Sequence, residues 1–405
     1  MTKITDIPAI RFKGFSDTWE QRKVTEIGKI YIGLVTTMTK HYTDEGTLLI
    51  RNSDIKDGKF EFGDNPIYLE KTFAEKNETR MHQIGDVITV HTGDVGTSAV
   101  ITENEAKSIG FATIVTRPNP KIIDSNYLCS FLNTDKHKKW AVSISTGDGR
   151  TNYNLGDYFE LVVPVPSIAE QKKIASYIQK LNRLITLHQR KYDKLTNVKK
   201  SMLEKMFPQN GSNVPEIRFK GFTEAWEQRK LGEIGSVSMC RRIFKEQTSE
   251  NGEIPFYKIG TFGGEADAFI SRELFEEYKA KYQYPKKGDI LISASGSIGR
   301  TVVFTGKNEY FQDSNIVWLN HDKHLDNSFL KCFYSIVKWA GIEGSTIKRL
   351  YNDNILNTAI TLPSVEEQQK IGAYFENLDN LITLHQRELE KLKNLKKACL
   401  EKMFV

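Results

Sequence analysis

The chain has 405 residues, enough for two substantial domains, and its hydrophobic content of 39% is sufficient for packed cores. A run of about 18 apolar residues, which would predict a membrane span, is absent, and the first residues, MTKITDIPAIRFKGF, lack the apolar core of a signal peptide. The formal net charge of +6 permits an anionic partner but does not establish one. These properties predict a cytoplasmic protein without a membrane partner.

The four cysteines, Cys129, Cys240, Cys332 and Cys399, are scattered and form no CxxC pair. This spacing predicts reduced residues in the core of a cytoplasmic protein, and neither disulfides nor metal ligands.

The first element is the segment IRFKGFSDTWEQRK at residues 10–23. It recurs as IRFKGFTEAWEQRK at 217–230, with 11 of 14 positions identical. The chain is therefore interpreted as two tandem halves, 1–207 and 208–405. Trp19 and Trp226, at equivalent positions of the repeat, are predicted to be packing anchors.

The interiors of the two halves share an order of predicted strands, loops and helices but little of their sequence. GDVITVHTGDVG at 85–96 parallels GDILISASGSIG at 288–299, and each predicts a strand, a glycine-bracketed loop and a second strand. Helices are predicted at 125–141 and 327–340, each with an aspartate near its N-terminal cap. The interiors therefore read as α+β globules of about 130 residues with different loop chemistry.

A long helix is predicted at the end of each half. Residues 166–207 and 363–404 are identical at 25 of 42 positions, and their apolar residues repeat in steps of four and three, as in a coiled coil. A rod of ~40 residues is about 60 Å long. Each apolar stripe needs a partner, and we expect the two helices of the chain to pair antiparallel. The predicted packing residues are Ile174, Ile178, Leu181, Ile185, His188, Leu195, Met202, Ile371, Phe375, Leu378, Ile382, His385, Leu392 and Met403.

Signatures of catalysis are largely missing. The sequence has no GxxxxGK[ST] phosphate loop, no HExxH or CxxC metal spacing, and no NPPY-like tetrapeptide of amino-methyltransferases. The loops at 93–96 and 296–299 lack the full GxGxxG pattern and are interpreted as tight turns. His188 and His385 lie in the apolar stripe, which favours packing over metal binding.

Polar loops with hydrogen-bond donors recur at matching places in the two halves. Arginine and lysine can bond guanine edges, asparagine can bond adenine, and hydroxyl groups can hold phosphates. Each residue alone is an ordinary surface residue, but the recurrence favours DNA binding by the group. The predicted DNA-binding residues are Arg51, Asn52, Thr92, Asp94, Arg150, Thr151, Asn152, Tyr153, Arg241, Arg242, Lys258, Ser295, Ser297, Arg300, Thr346, Lys348, Arg349, Tyr351 and Asn352.

Over essentially its full length the chain resembles the DNA-specificity subunits of type I restriction-modification systems. The resemblance rests on TWEQRKVTEIG (18–28) and AWEQRKLGEIG (225–235), on PVPSIAEQKKI (164–174) and TLPSVEEQQKI (361–371), and on the repeated LITLHQR. It implies two target-recognition domains with mixed sheets, joined by two long antiparallel helices with pseudo-two-fold symmetry. Each domain would read one half of a split site in double-stranded DNA.

The resemblance also assigns boundaries. They are a first target-recognition domain at 1–165 with a conserved segment at 8–29, a first helix at 166–207, a linker at 208–216, a second domain at 217–362 with the repeated segment 217–235, and a second helix at 363–405.

The chemistry implied by the resemblance belongs to partners. Two methyltransferase subunits would supply S-adenosylmethionine and adenine methylation, and restriction subunits would supply ATP- and Mg-dependent translocation and cleavage. This chain would be a non-catalytic subunit that binds no cofactor or metal. Two alternatives stay open, a self-contained DNA methyltransferase or nuclease and a coiled-coil scaffold for proteins.

Overall fold

Two halves of the chain build the same order of strands and helices in this computed structural model, which describes residues 7–145, 151–209, 211–339 and 349–404. The elements of the first half are β1 (Glu20–Lys23), α1 (Val24–Ile27), β2 (Gly28–Ile32), β3 (Tyr42–Thr43), β4 (Thr47–Arg51), β5 (Ile55–Lys56), β6 (Lys59–Phe60), β7 (Tyr68–Leu69), α2 (Lys71–Lys76), β8 (Val87–Thr89), β9 (Ser98–Val100), β10 (Ile109–Phe111), β11 (Ile114–Pro118), α3 (Ser125–Leu132), α4 (Asp135–Ile144), α5 (Leu155–Phe159), β12 (Val162–Val165) and α6 (Ile168–Lys205).

The second half repeats this order with fewer strands and one helix fewer in the described residues. Its elements are β13 (Glu227–Lys230), α7 (Leu231–Ile234), β14 (Gly235–Met239), β15 (Ile254–Tyr257), β16 (Phe269–Ile270), α8 (Arg272–Lys281), β17 (Ile290–Ser293), β18 (Thr301–Val303), β19 (Tyr310–Phe311), β20 (Ile316–His321), α9 (Asn327–Ile336), α10 (Asn352–Leu356), β21 (Ala359–Leu362) and α11 (Val365–Lys402). Short 3-10 turns lie at Thr39–His41, Asn52–Asp54, Glu78–Arg80 and Lys245–Gln247.

Contacts divide the chain into two compact units that do not coincide with the sequence halves. Unit 1 comprises residues 1–190 and 386–405, and unit 2 comprises residues 191–385. Each unit therefore contains one globule, the first part of its own long helix, and the last part of the long helix from the other half.

The sheets of the two units have matching topology. In unit 1 an antiparallel sheet has the order β2-β11-β8-β9, and in unit 2 the equivalent order is β14-β20-β17-β18. A second sheet in each unit is mixed, because β10 runs parallel to β4 and β19 runs parallel to β15. A two-stranded ribbon, β1 with β12 or β13 with β21, brings the two ends of each globule together. The predicted α+β class with an internal duplication is confirmed.

The long helices pack antiparallel within each unit. In unit 1, Ile174, Ile178 and Leu181 near the start of α6 are buried in one core with Cys399 and Met403 at the end of α11. In unit 2, residues near the start of α11 are buried in one core with residues near the end of α6. They are Ile371, Phe375 and Leu378 of α11, and Leu203 and Met206 near the end of α6.

The remaining predicted packing residues are less completely covered. Leu392 packs at the edge of the unit 1 core, and Leu195 and Met202 pack at the edge of the unit 2 core. Four residues nearer the helix centres are half-buried, Ile185, His188, Ile382 and His385.

The repeated EQ pair fixes the start of each long helix. In unit 1, Arg11 donates two hydrogen bonds to the buried Glu170 carboxylate, at 2.7 and 2.8 Å. Gln171 accepts a bond from the backbone N–H of Asp124 at 2.7 Å and donates one to the carbonyl of Pro166 at 2.8 Å. The repeated flank at 10–23, the globule and the helix are therefore held together at one point.

Unit 2 repeats this arrangement with equivalent residues. Arg218 donates to Glu367 at 2.7 and 2.8 Å, and Gln368 accepts from the backbone N–H of Asp326 at 2.8 Å. The flank also meets the end of the other long helix, because the N–H of Ile217 donates to the carbonyl of Lys205 at 2.9 Å. Trp226 is buried nearby, which confirms its prediction as a packing anchor.

Unit 1 carries the matching contacts of flank and tryptophan. The N–H of Ile10 donates to the carbonyl of Lys402 at 2.9 Å. Trp19 is buried edge-on against Tyr127, as predicted. All four cysteines are buried and unpaired, as the sequence indicates.

Candidate nucleic-acid interface

Unit 1 brings two polar loops together at one end of β8. The loop between β8 and β9 pairs with the segment before α5 through a bridge between Thr92 and Asn152. The Thr92 hydroxyl donates to Asn152 Oδ1 at 2.9 Å, and the N–H of Tyr153 donates to the carbonyl of His91 at 2.8 Å. Loops that are 60 residues apart in sequence thus form one surface.

Glycines shape the β8–β9 loop. Gly93 and Gly96 have φ angles of +102° and +84°, in the left-handed region where a side chain is strained. A Cβ on Gly96 would also lie 3.1 Å from the His137 ring. Gly296 and Gly299 of unit 2 are likewise left-handed, with φ of +66° and +84°. The interpretation of these motifs as tight turns is confirmed.

Asn52 joins a third segment to this surface. Its Oδ1 accepts the N–H of His91 at 2.8 Å, and its Nδ2 donates to the carbonyl of Ala112 at 3.1 Å. Both ends of the amide are therefore engaged within the protein. Asn52 is placed to hold the loops together, and it is not free to pair with an adenine through both groups.

Arg51 is held in a similar way. Its Nε and Nη2 donate to the two carboxylate oxygens of Asp54 at 3.0 and 2.8 Å, and Asp54 is buried. This hydrogen bonding raises the pKa of Arg51. The side chain stays cationic and its direction is fixed.

Unit 2 builds the same pairing with different side chains. The bridge lies between Ser295 and Arg349, and the N–H of Leu350 donates to the carbonyl of Ala294 at 2.8 Å. Asn315 ties the loops, because its Oδ1 accepts the Ser295 hydroxyl at 2.7 Å and Arg349 Nη2 at 3.5 Å. An asparagine joins the loops in both units, but it comes from a different strand end in each.

The predicted DNA-binding residues differ in their access to solvent. Those that are exposed are Asp94, Arg241, Arg242, Ser297, Arg300, Tyr351 and Asn352. Those partly buried are Arg51, Asn52, Thr92, Thr151, Asn152, Lys258 and Arg349. Arg150, Thr346 and Lys348 lie outside the described residues.

Two predicted contacts are core residues. Tyr153 has no exposed surface and its ring packs against Trp140 and Tyr158, while Ser295 is only 6% exposed. Their side chains serve the packing of the loops, so neither is retained as a DNA contact. Burial was invisible in the sequence because both residues sit in stretches that are otherwise polar.

Three cations, the exposed Arg241 and Arg242 and the partly buried Lys258, lie around the second sheet of unit 2. The Arg241 guanidinium lies over the Tyr282 ring, 5.3 Å from its centre, and Arg242 lies 3.9 Å from Asp313. Lys258 pairs with Asp267 at 2.9 Å. Only weak net attraction is expected from exposed pairs of this kind, so these cations stay available to an anionic ligand.

His91 was missed by the sequence reasoning. Its Nδ1 lies 2.8 Å from the Thr92 hydroxyl, which itself donates to Asn152, so Nδ1 carries the proton and Nε2 is left as an acceptor. Burial lowers the pKa of His91, which favours this neutral form. The HTGD sequence contained the residue, but nothing in it indicated the proton arrangement.

The described ranges hold no group of three or more His, Cys, Asp or Glu side chains that could bind a metal ion. Among the helices that the structure describes, none is long and apolar enough to cross a membrane.

Comparison with known proteins identifies similar chains. A family model of the type I restriction modification DNA specificity domain matches residues 16–197 and 223–394. The putative type I restriction enzyme specificity subunit S.HindORF215P of Haemophilus influenzae is 60% identical over 158 residues, which are 38% of this chain and 41% of that protein. The putative MjaX specificity subunit of Methanocaldococcus jannaschii is 24% identical over 98% of this chain and 93% of its own.

A solved structure has the same fold. The S subunit of a type I restriction-modification system from M. genitalium superposes with a TM-score of 0.66 at 14% sequence identity, covering 98% of this chain and 99% of that one. Each of the two segments matched by the family model contains one copy of the paired-loop surface, which is the surface formed by the loops of Thr92 and Asn152 in unit 1 and of Ser295 and Arg349 in unit 2.

Proposed function

Because the chain belongs to the type I restriction-modification DNA specificity family, we propose that each of its globules reads one half of a bipartite DNA site. The observation that carries the proposal is the paired-loop surface, built twice on the same sheet with different side chains. In unit 1 the pair is Thr92 with Asn152, and in unit 2 it is Ser295 with Arg349. Equal scaffolds with unequal loops suit two unlike half-sites.

The surfaces offer the groups that sequence readout needs. Unit 2 presents the Arg349 guanidinium, and arginine is the commonest partner of guanine in the major groove. Unit 1 presents the His91 Nε2 acceptor beside the Thr92 hydroxyl. Phosphates would be held by Arg241, Arg242 and Arg300 in unit 2, where exposed cations position the duplex without reading it.

The long helices would set the distance between half-sites. Each has 38 residues, a length of about 57 Å, and each begins in one unit and ends in the other. Half-sites on one face of DNA lie about 34–36 Å apart, so helices of this length can span them. The exposed surface of these helices would dock two methyltransferase subunits.

Catalysis would reside in the partners. Methyltransferase subunits would bind S-adenosylmethionine and modify adenines, and restriction subunits would use ATP and Mg. The chain itself would bind double-stranded DNA in the cytoplasm and turn over no substrate. The assembled complex would act as an adenine methyltransferase and an ATP-dependent endonuclease.

A domain exchange tests the proposal. Residues 31–165 are replaced by the interior of another family member, the complex is assembled with its methyltransferase subunits, and methylated adenines are mapped across a genome. One half-site should change, while the other half-site and the spacer stay the same. The reciprocal exchange of 236–362 should change the other half-site. Loss or change of both half-sites in either exchange contradicts independent reading.

A further inference from the structure

An exposed aromatic side chain lies at the end of β10, directly before the turn to β11. Phe111 is 37% exposed, although Ile109 in the same strand is fully buried. The next residue, Ala112, has a φ of +48°, a conformation that is strained for a residue with a side chain. Strained backbone of this kind persists where the surrounding structure enforces it, and it is frequent at binding sites.

The turn is held rigidly against the paired loops. The N–H of Leu34 donates to the carbonyl of Gly110 at 2.8 Å, and the N–H of Ala112 donates back to the carbonyl of Leu34 at 2.9 Å. Phe111 also pairs with Arg51 in the sheet, and Asn52 holds the carbonyl of Ala112. The Phe111 ring is thus presented from a fixed backbone, so little conformational entropy is lost when it meets a ligand.

Close packing around Gly110 fixes the backbone conformation of this turn. A Cβ at Gly110 would lie 2.1 Å from the Thr113 hydroxyl, and a Cβ at Gly33 would lie 2.3 Å from the carbonyl of Gly110. Only glycine at both positions allows the close approach that fixes the turn.

Unit 2 treats the equivalent aromatic residue differently. Phe311 pairs with Tyr257 in the second sheet as Phe111 pairs with Arg51. Phe311 is only 2% exposed and stacks on the Tyr257 ring at 5.8 Å. The turn that follows in unit 2 contains Ser314, with a φ of +58°, two residues before β20, as Ala112 lies two residues before β11. Both turns are strained, but only the turn of unit 1 leaves its phenylalanine outside.

We infer that Phe111 reads the 5-methyl group of a thymine in the half-site bound by unit 1. The inference rests on the proposed function. The thymine methyl is the one apolar feature that distinguishes bases in the major groove, and phenylalanine is among the side chains that contact it. Asn52 links the backbone of this turn to the loop in which base edges would be read, because its amide bonds to the carbonyls of Phe111 and Ala112 on one side and to the N–H of His91 on the other. A site with a methylated adenine always contains a thymine on the opposite strand.

Uracil substitution tests the inference. The complex with its methyltransferase subunits binds duplexes in which each thymine of this half-site is replaced, one at a time, by deoxyuridine, which lacks only the methyl group. Wild-type affinity should fall about fourfold at one position, the equivalent of one buried methyl group. Phe111→Ala should bind the unmodified duplex about fourfold more weakly and lose nothing further at that position.

Two controls define the alternatives. Ile84→Ala removes an exposed apolar side chain at the opposite end of β8, and it should leave the uracil effect at its wild-type size. Uracil in the other half-site should cost the wild type and Phe111→Ala equally. Equal uracil losses in both proteins at every position of the first half-site would overturn the inference. A second result would also overturn it. If 2-aminopurine placed in the half-site became more fluorescent with the wild type but not with Phe111→Ala, the Phe111 ring would be inserted between bases.

The outcome also separates this inference from the proposed function. Sequence-specific binding by the wild type with no uracil effect refutes only the role of Phe111. A wild-type complex that shows no sequence preference refutes both.

Discussion

The side chain of Asn52 joins backbone groups of two segments of unit 1 whose counterparts in unit 2 bond to each other directly. Asn52 inserts its amide between the N–H of His91 and the carbonyl of Ala112. In unit 2 the corresponding backbone groups bond directly, since the N–H of Ala294 donates to the carbonyl of Asn315 at 2.7 Å. The two units therefore join these backbone groups in different ways, through a side-chain amide in unit 1 and by a direct bond in unit 2.

Acid should weaken unit 1 through His137. Burial lowers the pKa of His137 to about 4, although its bond to the carbonyl of Leu132 opposes the shift. The unfolded chain takes up a proton near pH 6.5 and the folded unit does not, so stability is full above pH 6.5 and falls as the pH drops toward 4. Between pH 6.5 and 5 the loss should be about 1.6 kcal/mol for this imidazole.

Hydrogen exchange of the α3 amides at the two pH values, corrected for intrinsic rates, measures this loss. His137→Gln removes the titrating group and should reduce the pH dependence. It should not abolish it, because burial also lowers the pKa of His82 to about 4. The α9 amides of unit 2 are the internal reference, since Trp339 lies beside Gly299 where His137 lies beside Gly96. An unchanged pH dependence in His137→Gln would contradict the assignment.

At the residue scale, the sequence identified the polar loops but neither which of them meet nor how each side chain is used. The structure pairs Thr92 with Asn152 and Ser295 with Arg349, contacts between loops that are far apart in the sequence. The sequence could not reveal that Asn52 is occupied on both sides, because its partners are backbone groups that every residue carries. The sequence also gave no sign that Phe111 is exposed, because exposure depends on the tertiary packing of the turn.

At the scale of elements, the long helices were the best predicted feature. The repeated segments predicted helices over 166–207 and 363–404, and the helices run from Ile168 to Lys205 and from Val365 to Lys402. The apolar periodicity of a helix depends on residues that are close together in the chain, so it can be recognised in the sequence. The pairing of globule and helix is not local, and the β5–β6 hairpin was missed as a helix contact for that reason.

One lysine position near the end of each long helix is neutralised in two different ways. In unit 1, Lys396 pairs with Asp57 of the β5–β6 hairpin at 2.9 Å. In unit 2, the equivalent Lys199 pairs with Asp379 of α11 at 2.5 Å, and Lys331 of α9 adds a second bond at 3.1 Å. Burial opposes the ionisation of Asp379, but these two hydrogen bonds outweigh it and its pKa lies below the usual range.

Removing the hairpin carboxylate should therefore destabilise unit 1 alone. The Lys396 side chain is 13% exposed, so Asp57→Asn leaves an ammonium group poorly solvated and without its counter-charge. The expected loss is about 1–2 kcal/mol, below that of a fully buried pair because Asp57 itself is 44% exposed. Hydrogen exchange of unit 1 amides measures it.

A double substitution separates charge from packing. Lys396→Met in the Asp57→Asn background should recover most of the stability, because no unpaired charge remains. Glu216→Gln breaks the exposed pair with Lys205 and should cost less than about 0.5 kcal/mol. A loss in Asp57→Asn no larger than in this control would show that the hairpin contact contributes nothing.

At the scale of the molecule, the sequence indicated the duplication. It did not indicate that each unit contains the last part of the long helix from the other half. Identical flanks at 10–23 and 217–230 revealed the two halves. Each flank bonds to the start of its own helix and to the end of the other, through Arg11 and Ile10 in unit 1. Neither unit is complete without a segment from the other half. This exchange explains why the sequences of the two long helices are alike, since each helix end must fit both a partner helix and a flank.

The same reasoning predicts how the spacer responds to the length of the helices. Seven residues inserted in both helices, within 180–200 and 377–397, preserve the apolar stripe and lengthen each helix by about 10.5 Å. Because DNA rises 3.4 Å per base pair, the spacer between half-sites should grow by about three base pairs with the half-sites unchanged. Mapping methylated adenines in cells that express the variant and its partners measures the spacer. Seven residues inserted in the linker 208–216 should leave it unchanged, and a spacer that ignores the helix insertions would refute the helices as its determinant.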